Sequence, residues 1–227
     1  MTSRRQRSEG WLCHGWKPAC VVVAGGPIGS PAALLAELDT RSAFVACADS
    51  GADHLGALGL VAQLWMGDGD SVSAVPGQAE SHRFPAEKDE TDLELVLEEV
   101  ARRRLFPVAL LGALGGRLDH ELANLHLAAA FRARHGLIAL HGEFCRIRFV
   151  VPGAGEQLRS EAAYPITSLV PLGGDVTGVR TRGLQWNLAG ETLSPWRARG
   201  VSNRILSERA EVRIEQGVLA LVEQREP

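Results

Sequence analysis

The chain has no excess of positive charge. Its 24 basic and 27 acidic side chains sum to a formal charge of −3, so no overall cationic field is present to hold a nucleic-acid backbone. Long apolar runs are missing as well, and nothing approaches the roughly 20 residues needed to cross a bilayer. Arg4, Arg5 and Arg7 precede Trp11 and Leu12, but the apolar stretch of a secretory signal does not follow. Cysteine is sparse. Cys13, Cys20, Cys47 and Cys145 lie far apart, with no Cys-x-x-Cys and no histidine pair of zinc-finger spacing, although His14 adjoins Cys13. They read as reduced thiols in a cytoplasmic protein rather than as a disulfide frame or a zinc site. Internal repeats and low-complexity segments are absent.

What is present is an ordinary globular composition, 45% hydrophobic and 22% charged over 227 residues, long enough for two unequal domains. Residues 1–17 are polar and basic without periodicity and read as a flexible tail. From Cys20 short apolar runs alternate with helical patterns: strands over 20–24, 43–48, 64–66, 108–111 and 138–141, and helices over 31–38, 51–58 and 119–133, the last with Leu122, Leu125 and Ala129 along one side. Such alternation predicts a parallel sheet covered by helices. Thr91 and Glu94 form a Thr-x-x-Glu capping box ahead of Leu93, Val96, Leu97 and Val100, which repeat on one helical face. After residue 151 the texture changes to short runs over 166–170, 176–179, 211–214 and 218–222, punctuated by Gly and Pro. The expected architecture is therefore an α/β domain over 18–151, Rossmann-like, then a linker over 151–163 and a smaller all-β sandwich over 164–227.

In an open parallel sheet the ligand crevice lies at the carboxyl ends of the strands. Here those ends carry Gly25, Gly26 and Gly29, then Asp49, Gly51 and Asp53, then Asp68, Asp70 and Ser71, then Gly115, Gly116, Arg117, Asp119 and His120. Any one Asp-Gly pair is explained by a tight turn or a helix cap. The recurrence of the chemistry at four strand ends is not, because a turn has no need of Asp-x-Asp followed by Ser. Crowded carboxylates call for a cation, and hard oxygen ligands suit Mg²⁺ bound together with phosphate. Glycines admit backbone N–H groups close to phosphate oxygens, and Lys88 and Arg117 are the cationic complements. Gly25-Gly26-Pro27-Ile28-Gly29-Ser30 lacks the Gly-Lys-Ser/Thr of a P-loop, which excludes an ordinary P-loop kinase. It also falls short of G-x-G-x-x-G, leaving a nicotinamide enzyme as a weak rival.

Ala48-Asp49-Ser50-Gly51-Ala52-Asp53, Gly67-Asp68-Gly69-Asp70-Ser71, Lys88-Asp89-Glu90-Thr91-Asp92 and Gly115-Gly116-Arg117-Leu118-Asp119-His120 occur in that order. With Ser168-Leu169-Val170-Pro171-Leu172, Gly178-Val179-Arg180-Thr181-Arg182-Gly183-Leu184 and Gly200-Val201-Ser202-Asn203 they resemble the successive motifs of thiamine pyrophosphokinases, over roughly residues 20–222. The resemblance implies transfer of pyrophosphate from ATP to the hydroxyl of thiamine, with AMP released, in a cytoplasmic homodimer whose active sites lie in clefts between subunits. It implies that Asp68, Asp70 and Asp92 hold Mg²⁺ and phosphates, that Asp49, Arg117 and Asp119 complete the nucleotide and pyrophosphate site, and that Ser202 and Asn203 lie by thiamine. Gly25, Gly26, Gly51, Lys88, Gly116 and His120 are expected around the nucleotide. Some family members stack an aromatic near the C-terminal strand on thiamine. Gly217-Val218-Leu219-Ala220-Leu221 offers none, so Trp186 and Trp196 are the candidates, with core or dimer packing as the alternative. Another alcohol acceptor, or a noncatalytic nucleotide or thiamine sensor, stands as the functional alternative.

Overall fold

The computed structural model describes residues 16–225. The chain divides into two compact units between Arg146 and Ile147. The first contains β1 (Cys20–Val23), α1 (Pro31–Ala36), β2 (Phe44–Ala48), a 3₁₀ turn (Asp49–His54), α2 (Leu55–Leu58), β3 (Leu64–Gly67), β4 (Glu80–Arg83), α3 (Asp92–Arg102), β5 (Val108–Leu111), α4 (Leu118–Arg134) and β6 (Ile138–His141). Its strands lie in the order β4-β3-β2-β1-β5-β6, all parallel. β1, β3, β5 and β6 are buried at every position, as a parallel sheet covered on both faces requires. That burial is why these strands read as unbroken apolar runs.

α3 begins where the capping box places it: Thr91 Oγ1 accepts the Glu94 N–H at 3.2 Å, and Leu93, Val96, Leu97 and Val100 are buried. α4 turns differently from its expected face. It buries Ala128, Ala129 and Phe131, while Leu122 is exposed. β4 (Glu-Ser-His-Arg) has no apolar signal; it is an exposed edge strand held by main-chain pairing to β3. The stretch over 51–58, expected as one helix, is a 3₁₀ turn followed by a short α-helix ending at Gly59, φ 60°.

Most of the tail expected over 1–17, with Trp11 and Cys13, lies outside the described residues. Trp16 does not behave as tail. It is buried, stacks on His141 with centroids 5.7 Å apart, and bridges to Leu38 through main-chain bonds to Glu37 and Asp39. Cys20 and Cys47 are free and buried, and burial pushes both thiols up to about 12, which makes them inert.

β7 (Cys145–Val150) runs across the division between the units, and the second unit contains its larger part with β8 (Glu156–Arg159), β9 (Ile166–Arg182), β10 (Ala189–Leu193), β11 (Arg209–Arg213) and β12 (Gln216–Gln224). β8 falls inside the stretch expected as a linker and pairs with β11. The two runs expected over 166–170 and 176–179 are one long strand. The first part of β9 pairs with β12 and its end pairs with β10 and β11, so a single strand joins two layers. Leu169, Leu219 and Leu221 from one layer share a core cluster with Leu158, Val179, Val212 and Leu193 from the other. Within this core Arg148, 1% exposed, donates to Glu223 Oε2 through Nη2 (2.7 Å) and Nε (3.1 Å), and through Nη1 to the Gln157 carbonyl (3.1 Å).

Candidate active site

The carboxyl ends of β1, β2, β3 and β5 open on a cleft of about 500 Å³. Asp49, the first residue after β2, is 6% exposed and has φ 42°, a left-handed conformation that a non-glycine residue keeps only where its surroundings impose it. Three bonds do so. The indole N–H of fully buried Trp65 donates to the Asp49 carbonyl (3.1 Å), the Gly69 N–H donates to Oδ1 (3.1 Å), and the Ser71 hydroxyl donates to Oδ2. Gly67 is required here, since a Cβ on it would lie 2.8 Å from Asp49 Cβ and Oδ1. Asp53 clamps the same loop further on, accepting the Ser73 N–H and hydroxyl at 3.0 and 3.1 Å. The acidic loop is thus tied to the turn after β2 at two points.

Asp68 Oδ1 accepts the Asp70 N–H at 3.0 Å. That bond holds the Asp68 carboxyl below the usual range, while Asp70, hydrogen-bonded to and repelled by Asp68, is pushed up. Asp49, Asp68 and Asp70 each offer a carboxylate oxygen within 4.8 Å of the others. Three convergent carboxylates, one of them resisting ionisation because of its neighbour, fit a hard divalent cation. Asp92, expected in this set, instead faces Lys88. Lys88 Nζ lies 3.0 Å from Asp92 Oδ1 and 3.8 Å from Asp68 Oδ2, and donates to the Pro85 carbonyl at 3.1 Å. Burial raises the Asp92 carboxyl against the pull of Lys88.

The opposite wall is glycine. Gly25 and Gly26 follow β1, and Gly115 and Gly116 have φ 83° and 87°. Both line the cleft, and two consecutive positive φ values are a backbone path that no side-chain-bearing residue adopts cheaply. Gly51 does not line the cleft; it packs against the Val23 carbonyl, where a Cβ has no room. Arg117 and His120 line the cleft, whereas Asp119 sits outside it, joined to Arg117 at 2.6 Å and accepting the His120 N–H at 2.9 Å. The Arg117 guanidinium and that N–H hold Asp119 down to about 2.

Two contributors are not apparent from sequence. Asn124 lines the cleft and donates to the Ala113 carbonyl at 3.0 Å; its spacing of four from His120 on α4 is the signal that could have found it. Trp65 carries no such signal, because its hydrogen bond to Asp49 depends on tertiary register.

In the other unit, Asn203 is buried. Its Oδ1 accepts the N–H groups of Trp186 (3.1 Å) and Arg204 (2.9 Å), and its Nδ2 donates to the Trp186 carbonyl (2.8 Å). The carboxamide is therefore taken up in holding the 186 segment. Ser202 has φ 60° and its N–H donates to Ser168 Oγ at 3.0 Å. Trp186 is 57% and Trp196 90% exposed, so neither packs in the core.

Residues 35–139 match the family description "Thiamin pyrophosphokinase, catalytic domain", and residues 157–219 match "Thiamin pyrophosphokinase, vitamin B1 binding domain". The chain belongs to the thiamin pyrophosphokinase family. The thiamine pyrophosphokinase of Bacillus subtilis (strain 168) is 25% identical over 210 residues, covering 88% of this chain and 96% of that protein. Thiamine pyrophosphokinase 1 of Oryza sativa subsp. japonica is 30% identical over 124 residues, 51% of this chain and 44% of the rice protein. Among solved structures, a thiamin pyrophosphokinase family protein of Enterococcus faecalis superposes with a TM-score of 0.74 at 28% identity, covering 92% of this chain and 99% of that one. The Bacillus subtilis thiamine pyrophosphokinase reaches a TM-score of 0.80 at 21% identity, with 92% and 99% coverage, which bears on the fold alone. Within the family frame, the α/β unit with its acidic cleft corresponds to the catalytic match and the β unit to the vitamin B1 match.

Proposed function

We propose that this chain is a thiamine diphosphokinase that transfers the pyrophosphoryl group of ATP to the hydroxyl of thiamine, giving thiamine diphosphate and AMP. The observation that supports it best is the meeting of Asp49, Asp68, Lys88 and Asp92 opposite a glycine wall in one cleft. Transfer of a phosphoryl centre needs charge neutralisation and positioning more than covalent help from protein. Lys88, held between Asp68 and Asp92, sets a fixed positive charge beside the acids. The main-chain amides of Gly115 and Gly116 and the fork of Arg117 grip phosphate oxygens, Arg117 exchanging Asp119 for substrate. A bound Mg²⁺ supplies further charge neutralisation, and Asp49, Asp68 and Asp70 are the residues that would hold it.

The thiamine oxygen bonds to the β-phosphorus, the bond from that phosphorus to the α-bridging oxygen breaks, and the electron pair leaves with AMP. The hydroxyl proton goes to Asp92. Of the two carboxyls raised above their ordinary range, Asp70 and Asp92, only Asp92 lines the cleft. For thiamine, Asn203 positions Trp186 as the stacking surface, with Ser202 beside it and Trp196 as the second candidate ring. A cytoplasmic homodimer completes the reading. Exposed Leu118 and Leu122 on α4 support self-association, and no helix among the described residues is long and apolar enough to cross a membrane.

The test is a timed incubation of purified protein with ATP, MgCl₂ and thiamine, with products resolved by chromatography and mass measured by light scattering. Equimolar thiamine diphosphate and AMP from a dimer is the expected result. ADP as co-product, or no product from folded protein, overturns the proposed reaction in favour of another acceptor or a sensor.

A further inference from the structure

The outer face of the β unit carries an arginine array that the proposed reaction does not use. In register, Arg213 of β11 stands directly opposite Arg180 of β9, and Glu211 opposite Arg182. On the other side of β11, Arg209 stands opposite Arg159 of β8. Opposed residues of an antiparallel pair project to the same side, as do residues two apart on one strand. All five arginines are exposed, and on that face of the three strands Glu211 is the one carboxylate among them, with Gln157 opposite it. A sheet surface usually sets opposite charges across from each other, as Arg182 and Glu211 are. Like charges directly opposite destabilise the pairing, and this face has two such pairs.

Three of these arginines, Arg180, Arg182 and Arg213, line a concavity of about 520 Å³ together with Glu211, Thr181, Leu188 and Ala189. Two are held in built positions. Arg180 Nη1 donates to the Ala189 carbonyl at 2.6 Å, and its guanidinium occupies the space a Cβ on Gly190 (φ 126°) would need, 3.1 Å away. Gly155 clears room in the same way for the stem of Arg213, whose Nε donates to Glu211 Oε1 at 2.5 Å. The neighbouring carboxylate on β10, Glu191, is engaged by Arg199 at 3.1 Å. Three arginines against the single carboxylate of Glu211 leave the concavity a surplus of positive charge, two of the arginines being held by hydrogen bonds.

We propose that this concavity is a second anion site, separate from the catalytic cleft, that takes a short condensed phosphate such as pyrophosphate, tripolyphosphate or the phosphate chain of a nucleotide. Guanidinium forks match phosphate oxygens, and the anion relieves the Arg180–Arg213 opposition. A nucleic acid fits less well, because none of the lining side chains is aromatic and the whole chain carries a charge of −3.

Calorimetric titration of the full chain with inorganic tripolyphosphate in metal-free buffer tests this, using wild type, Lys88→Gln and the double variant Arg182→Gln/Arg213→Gln. Wild type shows two classes of site. Lys88→Gln weakens the one in the cleft, and the arginine variant weakens the other about a hundredfold, at about tenfold for each charge-assisted hydrogen bond removed. Repeating the titration with ATP separates the sources: equal affinity at the arginine site marks recognition of the phosphate chain alone, and tighter binding marks a nucleotide. If the arginine variant does not fold, phenylglyoxal labelling of wild type read by mass spectrometry replaces it, with tripolyphosphate expected to protect Arg180, Arg182 and Arg213. A single class of site abolished in Lys88→Gln, an unchanged isotherm in the arginine variant, absent protection, or a variant whose only change is its oligomeric mass each overturns the proposal.

Discussion

Replacing Arg148 with Met should cost the β unit a large share of its stability. Arg148 and Glu223 are each 1% exposed and Glu156 is 0% exposed, with Arg148 Nη1 3.9 Å from Glu156 Oε2. Removing the guanidinium deletes three hydrogen bonds and takes a cation away from beside two buried carboxylates, a change that costs about 3–5 kcal/mol. Against a total stability of about 5–15 kcal/mol, that loss should lower the melting temperature by roughly 6–20 °C if the whole chain unfolds as one unit and by about twice that if the β unit unfolds by itself. Adding Glu223→Leu should recover much of the loss, because an apolar pair of similar volume often replaces a buried ion pair at little cost. The assay is thermal and urea unfolding of wild type, Arg148→Met and the double variant. A single variant within about 2 °C of wild type, or a double variant no more stable than the single one, would refute the reasoning.

Lys88→Met should leave folding intact and lower kcat by about 10²–10³-fold, the scale of removing one preorganised charge from the transition state; a loss confined to KM would remove Lys88 from that role. Trp65→Phe removes the donor to the Asp49 carbonyl and shrinks a fully buried ring, so the Mg²⁺ concentration for half-maximal rate should rise severalfold along with a fall in melting temperature, whereas an unchanged metal requirement would make Trp65 a packing residue alone. Glu99 is held down to about 2, first by Arg102 and then by Arg103. Glu99→Gln should therefore destabilise by about 1 kcal/mol near neutral pH, with the difference fading as pH falls below about 4.5 towards 2, and a pH-independent difference in melting temperature would count against the ion pair. Trp186→Ala should raise KM for thiamine about tenfold, on a stacking contribution of about 1–2 kcal/mol, with KM for ATP unchanged; equal effects on both substrates would argue for a structural role.

Thr91 and Glu94 with Leu93, Val96, Leu97 and Val100 place α3 correctly because capping and one-faced burial are both local patterns. β1, β3, β5 and β6 are legible because strands buried on both faces must be apolar throughout. β4 is not legible: Glu80–Arg83 is held by main-chain pairing at a sheet edge, which leaves its side chains unconstrained. Nor is the exposure of Leu122, since a leucine in helical register does not reveal whether anything lies over it.

The same division runs through the site. The order of motifs, the aspartates and glycines at strand ends and the lysine ahead of α3 are properties of the sequence, because a phosphate site needs those residue types at those points of a parallel sheet. Which acids meet is not such a property. Asp49 joins Asp68 and Asp70 because Trp65, Gly69 and Ser71 pull the turn after β2 and the loop after β3 together, while Asp92 is drawn to Lys88 in the loop just ahead of α3. Those distances arise from the pairing of β2 with β3 across long sequence separations, and only the folded chain sets them.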